Sequence, residues 1–256
     1  MSVPVSERPQ PDPYHSRTGH VLKPGISSVF QQLEKVQQYT TTNGMKLNEK
    51  KTKLMIFNAS RTIDFMPSFL LGSEEIEVLE DMKILGVTLT SDLKWRKNTD
   101  NIVANAYRRV WMVRRLKSLG TDTEDLIDVY IKQIRSILEF ATPVWHPSLT
   151  VIDSIRIERV QKSVLHVILG ADYTSYSVAL QVTNLEPLQS RRTKLCSKFA
   201  LKAIQHPKHS NWFKENQFRT KTRQKQPKFR PVISRTWRFS NSPISYLTGL
   251  LNKKFS

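Results

Sequence analysis

The amino-acid sequence predicts an α+β protein: a small antiparallel sheet with one packed helix, then an all-helical bundle, then a basic, irregular tail. Three observations support this class. Short apolar runs bounded by turn residues occur between residues 52 and 90, which is typical of strands. Apolar residues then recur at helical spacing as far as residue 206. Beyond that point, prolines and cations interrupt any periodicity.

The N-terminal part is expected to hold a disordered segment and one helix. Residues 1–26 are predicted to be disordered, because they combine polar residues with Pro4, Pro9, Pro11, Pro13 and Pro24. Residues 27–41 are predicted to be helical, since apolar residues recur there at helical spacing, at Val29, Leu33 and Val36. Asn43 and Gly44 are expected to end this helix, because both tolerate a left-handed backbone.

Three strands are predicted next, and together with the helix they form an α+β subdomain over residues 27–92. The strand candidates are residues 52–58, 65–71 and 83–90. The third shows alternation of Leu85, Val87 and Leu89 on one face. Because the connections are short, an antiparallel meander is the simplest pairing.

Residues 93–206 are predicted to form a helical bundle. The first helix has an apolar stripe at Ile102, Ala106, Val110 and Val113 and ends at Gly120. The second, residues 121–140, begins with a capping box of Thr121 and Glu124 and ends at Pro143. The third, residues 149–169, buries Ile152, Ile155, Val160, Val164 and Val167 and ends at Gly170.

Two shorter helices complete the predicted bundle. They span residues 173–182 and 187–205, and His206 with Pro207 closes the second. Residues 207–256 are expected to be a basic and mostly irregular tail, since Pro207, Pro227, Pro231 and Pro243 interrupt them. Trp95 and Trp145 are predicted to be core residues, because both lie at junctions between predicted elements.

Positive charge is concentrated in the last quarter of the chain. The whole sequence has 40 Lys and Arg against 22 Asp and Glu, a formal charge of +18. Residues 191–256 contain 17 of these cations and a single acid, Glu215, which is a net charge of +16. Aromatic residues are interleaved with the cations, and this composition favours binding to RNA or DNA with little sequence specificity. The alternative interpretation is a solvated basic surface without a specific partner.

Two groups of cations are the candidate nucleic-acid-binding residues. One group follows the predicted sheet and extends along the first helix of the bundle: Lys94, Arg96, Lys97, Arg108, Arg109, Arg114 and Arg115, with Lys117 at its end. The other group lies in the tail: Arg219, Lys221, Arg223, Lys225, Lys228 and Arg230. We expect the tail and the preceding residues from Arg191 onward to carry most of the affinity.

The sequence argues against several classes of protein. A single cysteine excludes an intramolecular disulfide framework and a cysteine-based zinc cluster. No G-x-G occurs, so the dinucleotide fingerprint is absent, and no Walker A loop is present either. No run of apolar residues is long enough for a membrane span, and no secretory signal pattern begins the chain. We therefore expect a reducing, intracellular compartment, the nucleus included.

The sequence predicts no catalytic residue, no metal site and no cofactor site. Asp125 and Asp128 share a helix face, but both lie in a first helical turn, where carboxylates favour the helix dipole. His206 and His209 are expected to point apart, because Pro207 breaks the helix between them. Cys196 is predicted to be a packed thiol. The oligomeric state is left open.

Five blocks of sequence occur in an order found in one protein family. The first is residues 43–48 (Asn-Gly-Met-Lys-Leu-Asn) with residues 51–55, and the second is residues 83–88 with 93–95. The third is residues 134–141 with 143–146 (Pro-Val-Trp-His), the fourth is residues 157–162, and the fifth is residues 185–188 with 191–192. Together they resemble the C-terminal part of the reverse transcriptases of non-long-terminal-repeat (LINE-type) retrotransposons.

This resemblance covers roughly residues 27–209. It implies the end of a palm domain, then the hairpin that grips the primer, then a helical thumb, so that the predicted bundle would be thumb-like. The family's catalytic residues include a pair of adjacent aspartates that bind Mg²⁺, and no two aspartates are adjacent in this sequence. The resemblance therefore implies a catalytically incomplete remnant, although an intact family member requires Mg²⁺.

Residues 81–119 also resemble the segment catalogued as the N-terminal domain of the AlkB-homologue alkylation-repair and tRNA-modification proteins. That resemblance implies an iron(II)/2-oxoglutarate oxygenase joined to a methyltransferase. The His-x-Asp and G-x-G patterns that such activities use are absent here. The sequence thus favours a non-enzymatic nucleic-acid-binding protein, with a helical protein-interaction module as the first alternative and the oxygenase association as the second.

Overall fold

The computed structural model describes residues 24–57, 70–71, 74–216 and 227–255. The chain divides into two compact units, Met1–Glu80 and Asp81–Ser256. The division thus precedes the third predicted strand instead of following it at residue 92. Val87 explains the difference, because it is buried in the core of the helical unit. Helices dominate and every sheet has two strands, which confirms the predicted α+β class.

The first unit begins with helix α1, Pro24–Thr42. The helix starts before the predicted residue 27, at a proline, whose fixed φ suits the first helical position. It ends as predicted at Asn43 and Gly44, and Gly44 has a φ of +66°. Of the segment predicted to be disordered, residues 1–23 lie outside the described part of the chain.

Two small sheets complete the first unit, and they are not the predicted antiparallel meander. Strand β1 (Lys53–Leu54) pairs in parallel with β4 (Glu77–Val78), while β2 (Leu70–Leu71) pairs antiparallel with β3 (Glu74–Glu75). Residues 58–69 and 72–73, which include most of the second predicted strand, lie outside the description. The parallel pair was missed because short apolar runs carry no information on strand direction.

The second unit begins with a hairpin where one strand was predicted over residues 83–90. Strands β5 (Asp81–Ile84) and β6 (Val87–Thr90) pair antiparallel, with Ile84 opposite Val87. Leu85 and Gly86 form the two-residue turn, with φ of +47° and +89°. Positive φ at both positions is what a type I′ hairpin turn requires. Leu85 is consequently 91% exposed, so the predicted apolar alternation fails at this residue.

Helix α2, Arg96–Ser118, has the predicted buried stripe at Ile102, Ala106, Val110 and Val113. It ends beside Gly120, whose φ is +86°. A second helical stretch follows as α3 (Thr123–Val129), a π-helical segment (Tyr130–Arg135) and α4 (Ser136–Glu139).

The ends of this second stretch differ from the prediction. The N-cap is Asp122, so the capping box predicted from Thr121 and Glu124 does not form. The helix ends before Pro143, because Ala141 adopts a left-handed conformation with a φ of +50°. Pro143 instead lies in the first turn of the short helix α5, Thr142–Trp145, a position that suits proline.

Helix α6, Val151–Leu169, crosses the core of the second unit. The Thr150 hydroxyl caps it by accepting a hydrogen bond from the Asp153 N–H at 3.1 Å. Its inner face includes Ile157, Val160 and Val164. Two of the predicted core residues, Ile152 and Ile155, are exposed, because the buried stripe of this helix includes Asp153 and Ile157 instead.

The bundle closes with α7 (Tyr176–Val182) and α8 (Leu188–Gln205), close to the predicted positions. Trp95 and Trp145 both belong to the main hydrophobic cluster, so their prediction as core residues is confirmed.

The region after residue 206 is more ordered than predicted. Helices α9 (Trp237–Ser240) and α10 (Pro243–Phe255) follow, and α10 packs against α8 in a second hydrophobic cluster. Within the described residues, the prediction of a mostly irregular tail is wrong for α9 and α10 and right for most of the other positions. The difference at α10 arises because Pro243 is the first residue of the helix, a position that suits proline, and does not interrupt it. No helix in the described residues combines the length and apolarity that a membrane span requires.

Candidate nucleic-acid interface

Helix α2 presents one face to the core and the opposite face to solvent. Thr99, Ala106 and Val113 are fully buried on the inner face. This face packs against α6 and β6, so the side chains opposite the stripe project outward.

The outward side of α2 combines arginines with large aromatic rings. We call the residues Tyr107, Arg108, Trp111, Arg114 and Arg115 the α2 outer face. Their spacing places them on one side of a helix, within about two turns. Trp111 is 69% exposed and Tyr107 is 41% exposed. No Asp or Glu occurs between residues 101 and 120, so this surface carries uncompensated positive charge along the helix.

The α2 outer face holds three of the predicted binding cations, of which Arg108 donates to the amide oxygen of Asn105 at 2.5 Å; other predicted cations lie near carboxylates or bond to more distant parts of the chain. The Lys94 ammonium lies 2.8 Å from an Asp92 carboxylate oxygen, and Lys97 pairs with Asp81. Arg109 donates to the Gln133 carbonyl oxygen at 2.7 Å. Arg96 is exposed at the start of α2. In the described residues, Lys94 and Lys97 are thus neutralised by nearby carboxylates, whereas the arginines of the α2 outer face have no carboxylate partner.

Asp92 illustrates how the charge near the hairpin is balanced. Partial burial alone would raise the pKa of this carboxyl group, but hydrogen bonds from Lys94 and Thr90 outweigh it and hold the pKa at about 2. Asp92 is therefore an anion at neutral pH, and it lowers the positive potential around Lys94.

Lys117 points away from the α2 outer face and has a structural role. Its ammonium group donates to the carbonyl oxygens of Val167 at 2.8 Å and Ile168 at 2.7 Å. These carbonyls lie in the last turn of α6, where a cation stabilises the helix terminus. Lys117 is thus removed from the predicted binding group.

The tail cations are only partly described. Arg219, Lys221, Arg223 and Lys225 lie outside the described residues. Lys228 and Arg230 flank Phe229, which forms an antiparallel bridge with Glu215. The Lys228 ammonium lies 4.6 Å from the centroid of the Phe255 ring, an arrangement typical of a cation–π contact.

Asn252 of α10 holds this bridge in place. Its amide group accepts from the Phe229 N–H at 2.8 Å and donates to the Phe229 carbonyl oxygen at 2.9 Å. An open cavity of about 480 Å³ lies beside the bridge, and Lys214, Asn216 and Arg230 contribute to its lining. Phe229 is thereby fixed to α10, so the two cations beside it are attached to a folded element.

All three cations between residues 191 and 194 are engaged within the protein. Arg191 forms a bidentate pair with Glu139, and Lys194 pairs with Glu186 at 2.5 Å. Arg192 is fully buried and donates to Ser154 at 2.8 Å and to His146 at 3.3 Å. The formal net charge of residues 191–256 is therefore larger than the charge that this region has available to contact a polyanion.

The histidines after α8 are closer together than the sequence predicts. The rings of His206 and His209 stack at 4.5 Å, and Trp212 continues the stack at 4.5 Å from His209. Pro207 ends the helix, but the turn that follows returns His209 over His206. In the described parts of the chain, no three His, Cys, Asp or Glu side chains are grouped as a metal site would require.

Cys196 is buried in the second hydrophobic cluster, as predicted for a packed thiol. Burial raises the pKa of this thiol to about 12, although the charge of Arg192 opposes the shift. The thiol is therefore protonated at neutral pH and is a poor nucleophile.

Sequence reasoning missed the aromatic half of the α2 outer face. The charge pattern indicates the arginines, but not Tyr107 and Trp111, each of which directly follows a residue of the buried stripe, Ala106 and Val110. The signal was available, because the helical period that buries residues 106, 110 and 113 places 107, 111 and 114 on the outside. Comparison with known proteins adds no assignment: no protein-family model, no curated protein and no solved structure matches this chain.

Proposed function

We propose that this chain is a non-enzymatic nucleic-acid-binding protein in which the α2 outer face supplies a defined contact surface in addition to the basic tail. One observation carries the proposal: three arginines lie beside two exposed aromatic rings on a helix with no acid between residues 101 and 120. Arginine suits this role because its planar guanidinium forms bidentate hydrogen bonds with phosphate.

The charge of the rest of the molecule supports association with a polyanion. The chain has a formal charge of +18, so a nucleic acid is attracted before it reaches the contact surface. Basic residues of the tail add to this attraction, with Lys228 and Arg230 fixed beside the bridge to Glu215. We expect weak sequence specificity, because phosphate contacts carry no base information.

The salt dependence of binding tests the proposal. We expect the double variant Arg108→Gln, Arg115→Gln to bind a labelled single-stranded oligonucleotide more weakly than the unmodified protein. If each arginine contacts one phosphate, the log–log salt slope should decrease in magnitude by about 1.4. Fluorescence anisotropy over a range of salt concentrations measures both quantities.

A second double variant controls for the loss of charge alone. Lys132→Gln, Lys194→Gln removes the same formal charge, but Lys132 pairs with Asp128 at 2.7 Å and Lys194 pairs with Glu186 at 2.5 Å. We expect this control to leave the slope nearly unchanged, because each lysine is already balanced. Equal effects of the two double variants would contradict a defined surface on α2.

We also propose that the chain derives from a LINE-type reverse transcriptase as a remnant without its own catalytic aspartates. The five ordered blocks between residues 27 and 209 support this origin. A hairpin followed by a helical bundle agrees with the primer-grip and thumb order that the resemblance implies. Template-primer extension with Mg²⁺ tests the catalytic part, and template-dependent synthesis by the pure protein would refute it.

A protein-interaction module is the second candidate function, and one observation favours it. Val151, Ile152 and Ile155 are exposed together on the first turns of α6. Grouped apolar side chains on a surface are typical of protein contacts. If this candidate is correct, Ile152→Glu should abolish association with a protein while nucleic-acid binding remains intact, as measured by co-purification and anisotropy.

A further inference from the structure

Two aromatic rings on α2 are exposed without a structural reason. Trp111 is 69% exposed and Tyr107 is 41% exposed, while Trp95 and Trp145 of the same unit are buried. A tryptophan contributes to stability mainly through the apolar area that it buries, so an exposed one adds little to this fold. The two residues are four positions apart, which places the rings about one helical turn from each other.

The surroundings of these rings indicate what they contact. Arg108 lies between them along the chain, and Arg114 and Arg115 follow one turn later. An apolar protein partner would have to desolvate these guanidinium groups, which is costly without paired carboxylates. A ligand with both flat rings and negative charges satisfies the rings and the arginines together.

Nucleic acid is such a ligand, but duplexes and single strands differ in whether their bases can contact these rings. Bases of a duplex are stacked inside the helix, where a ring on a protein surface cannot reach their faces. Bases of a single strand can stack on aromatic side chains, and this occurs with every base. We propose that Trp111 and Tyr107 form a base-stacking platform through which the α2 outer face binds single-stranded RNA or DNA in preference to duplex; this inference rests on the nucleic-acid binding proposed above.

The geometry assigns separate roles to the two kinds of side chain. The arginines contact phosphates of either a single strand or a duplex, so they govern overall affinity and salt dependence. The rings contact bases only when these are unpaired, so they govern the preference between strands. Substituting a ring should therefore change the ratio of the two affinities, and substituting an arginine should lower both.

Trp111→Leu tests the platform, because leucine keeps an apolar side chain and removes the ring. The probes are a labelled homopolymeric thymidine strand, its uridine equivalent and a labelled DNA hairpin duplex with the same number of phosphates. We expect Trp111→Leu to weaken binding to both single strands by about 5- to 100-fold and binding to the duplex by less than about 2-fold. Trp111→Phe, which retains a ring, should preserve most of the single-strand affinity.

Tyr39→Leu is the matched control. Tyr39 is 63% exposed, nearly as much as Trp111, but it lies on α1, outside the α2 outer face and outside the basic tail. We expect this variant to leave the affinity ratio unchanged. A loss in Tyr39→Leu equal to that in Trp111→Leu would overturn the assignment of stacking to α2.

The arginine variant separates failure of this inference from failure of the proposed function. If Arg108→Gln, Arg115→Gln weakens binding and Trp111→Leu does not change the affinity ratio, the platform is refuted and the nucleic-acid interface stands. If neither variant changes any affinity, both proposals are refuted. Circular dichroism should show native helicity in every variant, because each substituted side chain is exposed.

Discussion

The Lys117 ammonium group donates a hydrogen bond of 2.7 Å to the Ile168 carbonyl oxygen, which joins the ends of α2 and α6. A second hydrogen bond of 2.8 Å reaches the Val167 carbonyl. Lys117 thereby satisfies two carbonyls that a helix leaves without partners at its C-terminus. These two hydrogen bonds also explain why Lys117 has a structural role, whereas Arg114 and Arg115 are exposed on the surface.

Lys117→Ala should destabilise the protein without affecting its affinity for nucleic acid. We expect the free energy of unfolding to fall by about 1–2 kcal/mol, because a charged donor to a helix C-terminus is lost. Urea denaturation measures this change. Arg115→Ala should show the opposite pattern, with little change in stability and a weaker salt dependence of binding. A flatter salt slope in Lys117→Ala would place Lys117 in the interface after all.

Gly170→Ala should be more destabilising than Gly120→Ala. Both glycines have a positive φ, +58° and +86°, so alanine strains the backbone at either position. A Cβ at Gly170 would lie 2.7 Å from the Lys117 ammonium nitrogen, whereas a Cβ at Gly120 would have nothing within 4 Å.

We expect the additional clash to cost about 1 kcal/mol, measured as the difference between the two variants in urea denaturation. The clash also predicts coupling between the two sites. In the Lys117→Ala background, Gly170→Ala should cost about 1 kcal/mol less than it does in the unmodified protein, since the obstructing ammonium group is gone. Additive effects of the two substitutions would show that the clash is relieved by movement of the lysine side chain.

The sequence predicted the helices better than the sheets, for a physical reason. A helix such as α2 repeats its apolar pattern over 23 residues, from Arg96 to Ser118, so the period is unambiguous. The first two sheets consist of strands of two residues, which are too short to show alternation. The hairpin at residues 81–90 was missed because Leu85 occupies a turn position that usually holds glycine or asparagine.

The charges of the candidate site could be predicted from the sequence, but the contacts of those charges could not. Charge is visible in any sequence, so Arg108, Arg114 and Arg115 were found at once. Whether a cation is free depends on contacts between residues distant in the chain, such as Lys117 with Ile168 or Arg191 with Glu139. These contacts follow from how the helices pack, which the local pattern does not determine.

Acid should destabilise the protein through His146. Burial, together with the charge of Arg192, lowers the pKa of His146 to about 4. The ring also meets Tyr246 edge-on at 5.8 Å, so it is enclosed from two sides. Because the folded state favours the neutral ring, its contribution to stability is complete above the unfolded pKa of about 6.5 and is lost as the pH falls toward 4.

Because of the lowered pKa of His146, we expect the free energy of unfolding to fall by about 2 kcal/mol between about pH 7 and pH 5. His146→Gln should remove that part of the pH dependence, since glutamine does not titrate and still offers an acceptor to Arg192. Urea denaturation at several pH values gives the comparison. Parallel pH profiles for the two proteins would mean that His146 is protonated in the folded state as easily as in the unfolded state.

Trp145→Ala should be among the most destabilising substitutions in the chain. Trp145 is fully buried, and its indole N–H donates to the Phe140 carbonyl oxygen at 2.8 Å. We expect a loss of about 3–5 kcal/mol. Trp111→Ala removes the same atoms from an exposed site and should cost less than about 0.5 kcal/mol. Thermal and urea denaturation of both variants measure the contrast, and similar losses would contradict the burial assigned to these two rings.

The reactivity of the single cysteine reports on how α10 packs against α8. Cys196 is fully buried in the same cluster as Leu247 and Leu251 of α10, and burial raises the pKa of its thiol. We expect the native protein to react slowly with a thiol reagent such as Ellman's reagent, because reaction requires both exposure and the thiolate.

Leu251→Ala should accelerate this reaction, since the cavity it leaves weakens the packing of α10 and makes local opening more frequent. Ile244→Ala is the matched control: it lies on the same helix, but its side chain is exposed, so the thiol should stay protected. An acceleration of at least about 10-fold corresponds to a loss of about 1.4 kcal/mol in the free energy of local opening. If Cys196 reacts rapidly in the unmodified protein, α10 does not cover α8 in solution, and the region after residue 206 is irregular as its sequence predicted.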